Sequence, residues 1–261
     1  MIKHEFKKKF GQNFISDKNL INAICDDAEL GAKDEVLEIG AGAGSLTSAL
    51  NERCKKVVSY EIDKDLVEHL RGLNLNNAKF VFGDIMDFSL EEIEKDFAEN
   101  YKMIANLPYY ITTPIIFKFL NGSSRLESLT IMVQKEVAER MVAKCGSKDY
   151  GVLSVMIDFY GDARISRVVS RKMFFPQPNV DSAVVTISLK KKYSQVDKNS
   201  FYKFVQNVFA MRRKTLKNNL VQGGYDKKKI EDLGEETLKK RAEEFDLQSL
   251  VDIYERLIWQ K

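Results

Sequence analysis

Asn106-Leu107-Pro108-Tyr109 is the segment of this sequence whose residue types are best suited to chemistry. The exocyclic amine of a purine is a poor nucleophile because its lone pair is delocalised into the ring. A site that makes it react must accept hydrogen bonds from its N–H groups, draw the nitrogen towards tetrahedral geometry and aim the lone pair at an electrophile. Asn106 offers a side-chain carbonyl and Leu107 a main-chain one, while Pro108 has no N–H and fixes its own φ, so the turn is stiff and presents acceptors. Tyr109 adds an aromatic face for a base taken out of its stack. With an already activated electrophile no strong general base is needed, and positioning for in-line attack supplies much of the rate. In isolation the tetrapeptide is as readily a strand-ending turn with a buried tyrosine.

Other residues favour the first reading. Val36-Leu37-Glu38-Ile39-Gly40-Ala41-Gly42-Ala43-Gly44 is a strand running into a glycine-rich turn, where the backbone can approach a ligand closely. Its spacing is G-x-G-x-G and not the dinucleotide G-x-G-x-x-G, which lowers the case for a bound pyrophosphate. Glu61 ends the next strand and can accept from ribose hydroxyls. Asp84, after Gly83 at the end of a third strand, can accept from a cofactor adenine amino group. Three polar groups at successive strand ends converge on one crevice and point to a nucleoside cofactor. A second aromatic comes from Phe174-Phe175-Pro176-Gln177-Pro178-Asn179-Val180-Asp181-Ser182. Phe174 is assigned to the opposite face of the base, with Phe175 as the alternative; either could instead be core.

The elements that must hold these residues alternate. Ser16-Asp17 can cap a helix through about Glu29, with Leu20, Ile21, Ile24 and Cys25 on its apolar face. Strands are expected at Val36–Ile39, Val57–Tyr60, Phe80–Phe82, Met103–Ala105 and Leu129–Val133, with helical spacing between them, as at Leu66, Val67, Leu70 and Leu73. This pattern predicts an α/β fold with a mostly parallel, doubly wound sheet. Two further β-rich runs, Ala163–Val169 and Ala183–Leu189, allow an antiparallel edge strand. Beyond Lys190-Lys191-Lys192 the reading is helical, at about Asn199–Leu220, Glu236–Glu244 and Gln248–Trp259. The expected domains are therefore 1–192 and a small all-α domain, 193–261.

Composition narrows the function classes. Apolar residues make up 44% and charged residues 30% of the 261, an ordinary globular balance. No apolar run approaches the length of a membrane span, and the start has no signal-peptide core. Cys25, Cys54 and Cys145 are scattered and without clustered histidines, which argues against a disulfide framework or a metal site and for the cytoplasm. Net charge is +3, yet residues 190–261 hold 17 basic against 11 acidic side chains, and Lys7, Lys8 and Lys9 form a second basic cluster. Segregated positive charge suits a polyanion; a solvated helical face is the equal alternative.

As a set, Phe10-Gly11-Gln12-Asn13-Phe14, Glu38–Gly44, Gly83-Asp84, the Asn106 tetrad, Phe174–Ala183 and Phe209-Ala210-Met211-Arg212-Arg213-Lys214-Thr215-Leu216 closely resemble the KsgA (RsmA) rRNA adenine dimethyltransferases. The resemblance covers nearly the whole chain. It implies a Rossmann-like class I methyltransferase fold, S-adenosylmethionine as cofactor, and a cofactor site formed by Asn13, Ile15, Gly40, Glu61, Asp84 and Asn106. It also implies a substrate, two adjacent adenines in the hairpin near the 3′ end of small-subunit rRNA, each dimethylated late in assembly of the small ribosomal particle. Ala41 stands where the family often has proline, and Tyr110 and Thr112 stand where Asn and Ser are common. Arg212, Arg213, Lys214 and Lys217 span about one and a half helical turns and cannot all face a core, so most should meet RNA phosphates. A monomer is the default expectation.

Three other readings compete. An Erm-type enzyme would act on large-subunit rRNA, but the Leu of the tetrad and the Val-Asp-Ser-Ala run favour the small subunit. A non-catalytic assembly factor is opposed by intact Asn106 and Tyr109. A dehydrogenase is opposed by the glycine spacing and by the lack of a placed histidine: only His4 and His69 exist, and His69 reads as an exposed helix residue.

Overall fold

The computed structural model describes residues 12–190 and 192–258. Lys7 to Lys9, His4, the Phe10-Gly11 part of the N-terminal motif, Lys191 and Trp259 lie outside the described residues.

Seven strands form one sheet, in the order β4-β3-β2-β5-β6-β9-β7. The first five are β2 (Glu35–Ile39), β3 (Lys56–Glu61), β4 (Ala78–Phe82), β5 (Tyr101–Asn106) and β6 (Leu126–Gln134). They are paired in parallel throughout. Strand β2 is buried along its whole length, as a central strand covered on both faces must be. The remaining two are β7 (Gly161–Val169) and β9 (Ser182–Leu189); β9 runs antiparallel to β6, and β7 lies outside it as the edge.

The chain winds outward on both sides of β2, so β2 and β5 flank the point where strand order reverses and ligands of such sheets bind. Register pairs Ile39 with Tyr60 and Glu61 with Phe82. Gly40, Glu61 and Gly83 therefore emerge along one rim, and Asn106 ends β5 beside them. Helix α1 (Lys18–Asp27) starts where expected, with Asp17 accepting from the Leu20 amide at 2.8 Å, and it buries Leu20, Ile21, Ile24 and Cys25. A small ribbon not evident from sequence pairs β1 (Phe14–Ile15) with β8 (Phe174–Phe175), Phe14 opposite Phe175 and Ile15 opposite Phe174.

Two compact units result. One takes the described residues up to Ala138 with Arg164–Leu189; the other takes Glu139–Ala163 with the described residues from Lys190 onward. This differs from a single cut after residue 192. Helix α7 (Val152–Tyr160) joins the C-terminal helices because Phe159 stacks on Tyr193 and Phe201, with ring centroids 5.5 and 4.8 Å apart.

Two of the helices expected in that unit are interrupted, and Glu236–Glu244 is a helix over Glu235–Lys239 followed by a 3-10 turn over Ala242–Glu244. The expected helix Asn199–Leu220 is two, α8 (Lys198–Val208) and α9 (Leu216–Gln222). The break is held by Asn219, 1% exposed, whose amide accepts from the Met211 N–H at 2.9 Å and donates to the Met211 and Thr215 carbonyls at 3.3 Å. Helix α12 (Leu247–Ile258) lies where a helix is expected and buries Leu250, Val251, Tyr254 and Leu257. Among the described residues no helix is long and apolar enough to cross a membrane, and no group of His, Cys, Asp or Glu could hold a metal ion.

Candidate active site

The glycine-rich turn adopts conformations that side chains resist. Gly40, Gly42 and Gly44 all have positive φ, at 82°, 55° and 78°. A Cβ at Gly44 would lie 2.3 Å from the Leu73 side chain, and one at Gly42 would lie 2.9 Å from the Phe14 ring. Only glycine lets the turn, which leads into α2 (Ser45–Asn51), fold this tightly against Leu73 on one side and Phe14 of the N-terminal segment on the other. The Gly40 N–H donates to the Tyr60 carbonyl at 2.8 Å, which seats the turn on β3.

Glu61 completes that seat. One carboxylate oxygen accepts from the Gly42 N–H and the other from the Asp63 N–H, both at 2.8 Å. Burial pushes its carboxyl above the usual range despite these main-chain donors. A carboxylate has about four acceptor positions, so Glu61 ties the turn to β3 and still has capacity for a ligand hydroxyl.

Asn106 faces the turn from β5. Its Nδ2 donates to the Asn13 main-chain carbonyl at 2.9 Å. A carbonyl can only accept, so this contact fixes which end of the amide is nitrogen and leaves Oδ1 as the acceptor available to a ligand. Tyr109 is anchored by its hydroxyl to the Ser182 Oγ at 2.7 Å, which joins the tetrad to β9. Leu107 is buried, with its N–H on the Met132 carbonyl at 3.2 Å.

Two adjoining clefts open along this rim. One is lined by Asn13, Gly40, Glu61, Asn106, Pro108 and Tyr109, among others, and the second by Gly40, Ile62, Asp84, Ile85, Pro108 and Ile111, among others. Gly40, Ile62 and Pro108 belong to both, so the clefts share a wall. The second has apolar walls with Asp84 at its end, suited to a flat heterocycle bearing an amino group. The first has acceptors from Glu61 and Asn106, suited to a ribose and a second amine. A nucleoside cofactor with a polar tail fits this donor and acceptor set.

Most residues singled out from the sequence thus meet in one place: Asn13, Gly40, Glu61, Asp84, Asn106, Leu107, Pro108 and Tyr109 line the clefts. Two do not. Ile15 and Phe174 are 5% and 4% exposed and pack in one apolar cluster with Val169 and Val184. Phe174 therefore offers no ring face to an incoming base, whereas Phe175 is 68% exposed. The cross-strand pairing of β1 with β8 turns alternate side chains to opposite faces, and it sends Phe174 inward.

The basic segment also needs correction. Arg212, Arg213 and Lys214 lie in the turn between α8 and α9, not on a helix. Arg212 is partly engaged already, donating to the Lys148 and Tyr150 carbonyls at 2.7 and 3.3 Å and lying 3.5 Å from Glu243. Arg213, Lys214 and Lys217 are exposed.

Sequence reasoning missed Glu38 and Gln12. Glu38 is fully buried beneath the glycine turn, accepting from Thr47 Oγ1 of α2 and Ser59 Oγ of β3, both at 2.6 Å. Burial raises its carboxyl to about 7, and its other oxygen has no partner among the described residues. Gln12 donates to the buried Asp63 carboxylate at 2.7 Å and lines the first cleft. His69, read as an exposed helix residue, is partly buried with Nε2 3.1 Å from the Ala43 carbonyl of the turn.

The model of the family described as ribosomal RNA adenine dimethylase matches residues 3–257. A protein named ribosomal RNA small subunit methyltransferase A, from Bacillus cytotoxicus, is 38% identical over 98% of this chain and 92% of its own. A dimethyladenosine transferase from Plasmodium falciparum has the same fold, with a TM-score of 0.79 at 24% identity over 92% of this chain and 95% of that one. The 23S rRNA methyltransferase ErmE superposes with a TM-score of 0.67 at 26% identity, over 95% of this chain and 100% of that one.

Proposed function

The chain belongs to the ribosomal RNA adenine dimethylase family, and from that membership we propose how its rim residues act. The enzyme transfers methyl groups from S-adenosylmethionine to N6 of two adjacent adenines in the 3′-terminal hairpin of small-subunit rRNA, giving dimethyladenosines. The observation that carries the mechanism is the fixed Asn106 amide, whose Oδ1 is left as an acceptor for the target amine.

When bound, S-adenosylmethionine supplies a methyl group already activated on sulfur. The protein's own part is placement. Glu61 accepts from the ribose, Asp84 from the cofactor's amino group, and Gly40 lets the backbone approach closely. Asn106 Oδ1 and the Leu107 carbonyl accept from the two N–H groups of the adenine amine, which turns its lone pair out of conjugation and towards the methyl. Pro108 keeps the turn stiff, and Tyr109, held by Ser182, gives the flipped base a face. Once the methyl has transferred, the amine holds a positive charge and loses a proton, for which no strong base is needed. Holding the two reactants in line does most of the work.

Arg213, Lys214 and Lys217 contact RNA phosphates, so the C-terminal helices serve as the rRNA-binding part and the sheet as the methyltransferase part. The substrate is the immature small subunit, met in the cytoplasm, and the chain works as a monomer.

The similarity to ErmE keeps a large-subunit substrate as the second reading. Labelled S-adenosylmethionine incubated with unmethylated small and large particles, followed by mass spectrometry of the RNA nucleosides, separates them. Dimethyladenosine in the small-subunit 3′ hairpin is the expected result. Label in large-subunit RNA would move the protein to the other substrate. Cofactor binding without label in either would favour a non-catalytic assembly factor.

A further inference from the structure

Helix α5 (Thr112–Gly122) starts directly beyond the Asn106–Tyr109 turn, and Lys118 projects from it to the loop that follows β4. The Lys118 ammonium donates to the main-chain carbonyls of Ile85 at 2.8 Å, of Met86 at 3.2 Å and of Phe88. An ammonium has three N–H donors, so this set is complete. The same loop holds Asp84, whose carboxylate accepts from the Met86 N–H at 2.9 Å, while the Asp87 N–H donates to the Asp84 carbonyl at 3.0 Å. The loop is thus closed from within by Asp84 and from outside by Lys118.

The charge is not placed there for packing. Lys118 is partly buried, and desolvation lowers its pKa against the opposing effect of the Asp84, Asp87 and Glu92 carboxylates. An apolar side chain of similar length would fill the space without that cost, but would leave three carbonyls without their donors.

We propose that Lys118 is a positioning residue for the cofactor: by clamping the carbonyls of Ile85, Met86 and Phe88 it fixes the Asp84 carboxylate at the end of the apolar cleft. Because the clamp is rooted in α5, the acceptor for the cofactor's amino group and the acceptors of the Asn106 turn are held by one strut. This rests on the reading above that Asp84 receives the cofactor.

The test is calorimetric titration of the full chain with S-adenosylhomocysteine, for wild type, Lys118→Met, Lys118→Arg, Asp84→Asn and the Lys118→Met/Asp84→Asn double variant. Lys118→Met should weaken binding by about tenfold, the scale of hydrogen bonds to a charged group, and raise the KM for S-adenosylmethionine equally. Its kcat at saturating cofactor should stay within about twofold of wild type, since that interaction is made before the transition state. Lys118→Arg should restore most of the affinity. The double variant should bind no more weakly than Asp84→Asn alone, because both changes act on one contact. Weakened binding in Asp84→Asn with unchanged affinity in Lys118→Met would overturn the clamp and leave the cofactor site standing. Fully additive losses would also overturn it. Unchanged affinity in Asp84→Asn would instead remove the cofactor reading, and the clamp with it.

Discussion

Asn106 donates its side-chain Nδ2–H to the main-chain carbonyl of Asn13 at 2.9 Å, so a residue from the N-terminal segment sets the orientation of the amide on which the proposed mechanism depends. Two substitutions separate its roles. Asn106→Ala removes the acceptor and should lower kcat on the order of 10²-fold, the scale of losing one preorganised hydrogen bond to a reacting group. Asn106→Asp keeps acceptors but sets a carboxylate against the Asn13 carbonyl, and should also impair turnover although the side chain is nearly isosteric. Both variants should keep the wild-type circular dichroism spectrum, since the residue is at the rim of the sheet and not in its core. Single-turnover kinetics on small particles checks this, and full activity in Asn106→Ala would remove the mechanism.

Phe174 and Phe175 are neighbours with opposite surroundings, one buried among Ile15, Val169 and Val184 and the other 68% exposed. Phe174→Ala should cost about 3–5 kcal/mol of stability as a core truncation. Phe175→Ala should change stability little and instead raise the KM for RNA, since base stacking on an aromatic ring contributes roughly 1–3 kcal/mol. Urea denaturation and steady-state kinetics on the two variants give the comparison. A stability loss confined to Phe175→Ala would reverse the assignment.

The same pair shows what the sequence can and cannot disclose. Strand ends carrying Gly40, Glu61, Asp84 and Asn106 were legible because residue type, period and spacing are local properties. The β1–β8 pairing joins segments far apart in sequence, so nothing near Phe174 announces that it faces inward. Glu38 escaped for a related reason. It reads as one member of a glycine-rich motif, and only the folded surroundings show a carboxyl whose complete burial raises its proton affinity against the opposing hydrogen bonds from Ser59 and Thr47. The split between α8 and α9 contains neither proline nor glycine; it depends on the buried amide of Asn219, and apolar spacing alone runs straight through it.

Glu38 predicts a pH dependence. Its carboxyl is raised from 4.5 to about 7 by burial, so the folded protein holds this proton more tightly than the unfolded chain. The resulting stabilisation is complete below pH 4.5 and is lost as pH rises through about 7. Glu38→Gln keeps a neutral hydrogen-bonding group and removes the titration. Wild type should therefore lose stability relative to Glu38→Gln between pH 5 and 8, by about 3 kcal/mol at most. Glu61 is also raised by burial, and its charge adds to the upward shift of Glu38, so the difference between the two proteins reports the pair of carboxyls together. Urea melts across that range check the sign, and a difference independent of pH would show that Glu38 stays ionised.

Arg212 and Lys217 should behave differently although both are basic and exposed. The Arg212 guanidinium bonds the Lys148 and Tyr150 carbonyls and approaches Glu243, so Arg212→Ala should loosen the segment around residues 148–150 and lower the thermal midpoint. Arg213, Lys214 and Lys217 make no such hydrogen bond or ion pair among the described residues and stand in the solvent-facing turn and the start of α9. Each of their alanine variants should leave the melting temperature nearly unchanged while weakening RNA binding. The plot of log affinity against log salt should become shallower by about 0.7–0.9 for each phosphate contact removed. The identity of the methylated adenines should not change, because phosphate contacts position the protein without reading bases. Filter binding to the small-subunit hairpin over a range of salt concentrations measures the slope. If Lys217→Ala leaves both slope and affinity as in wild type, α9 is not part of the RNA-contacting surface.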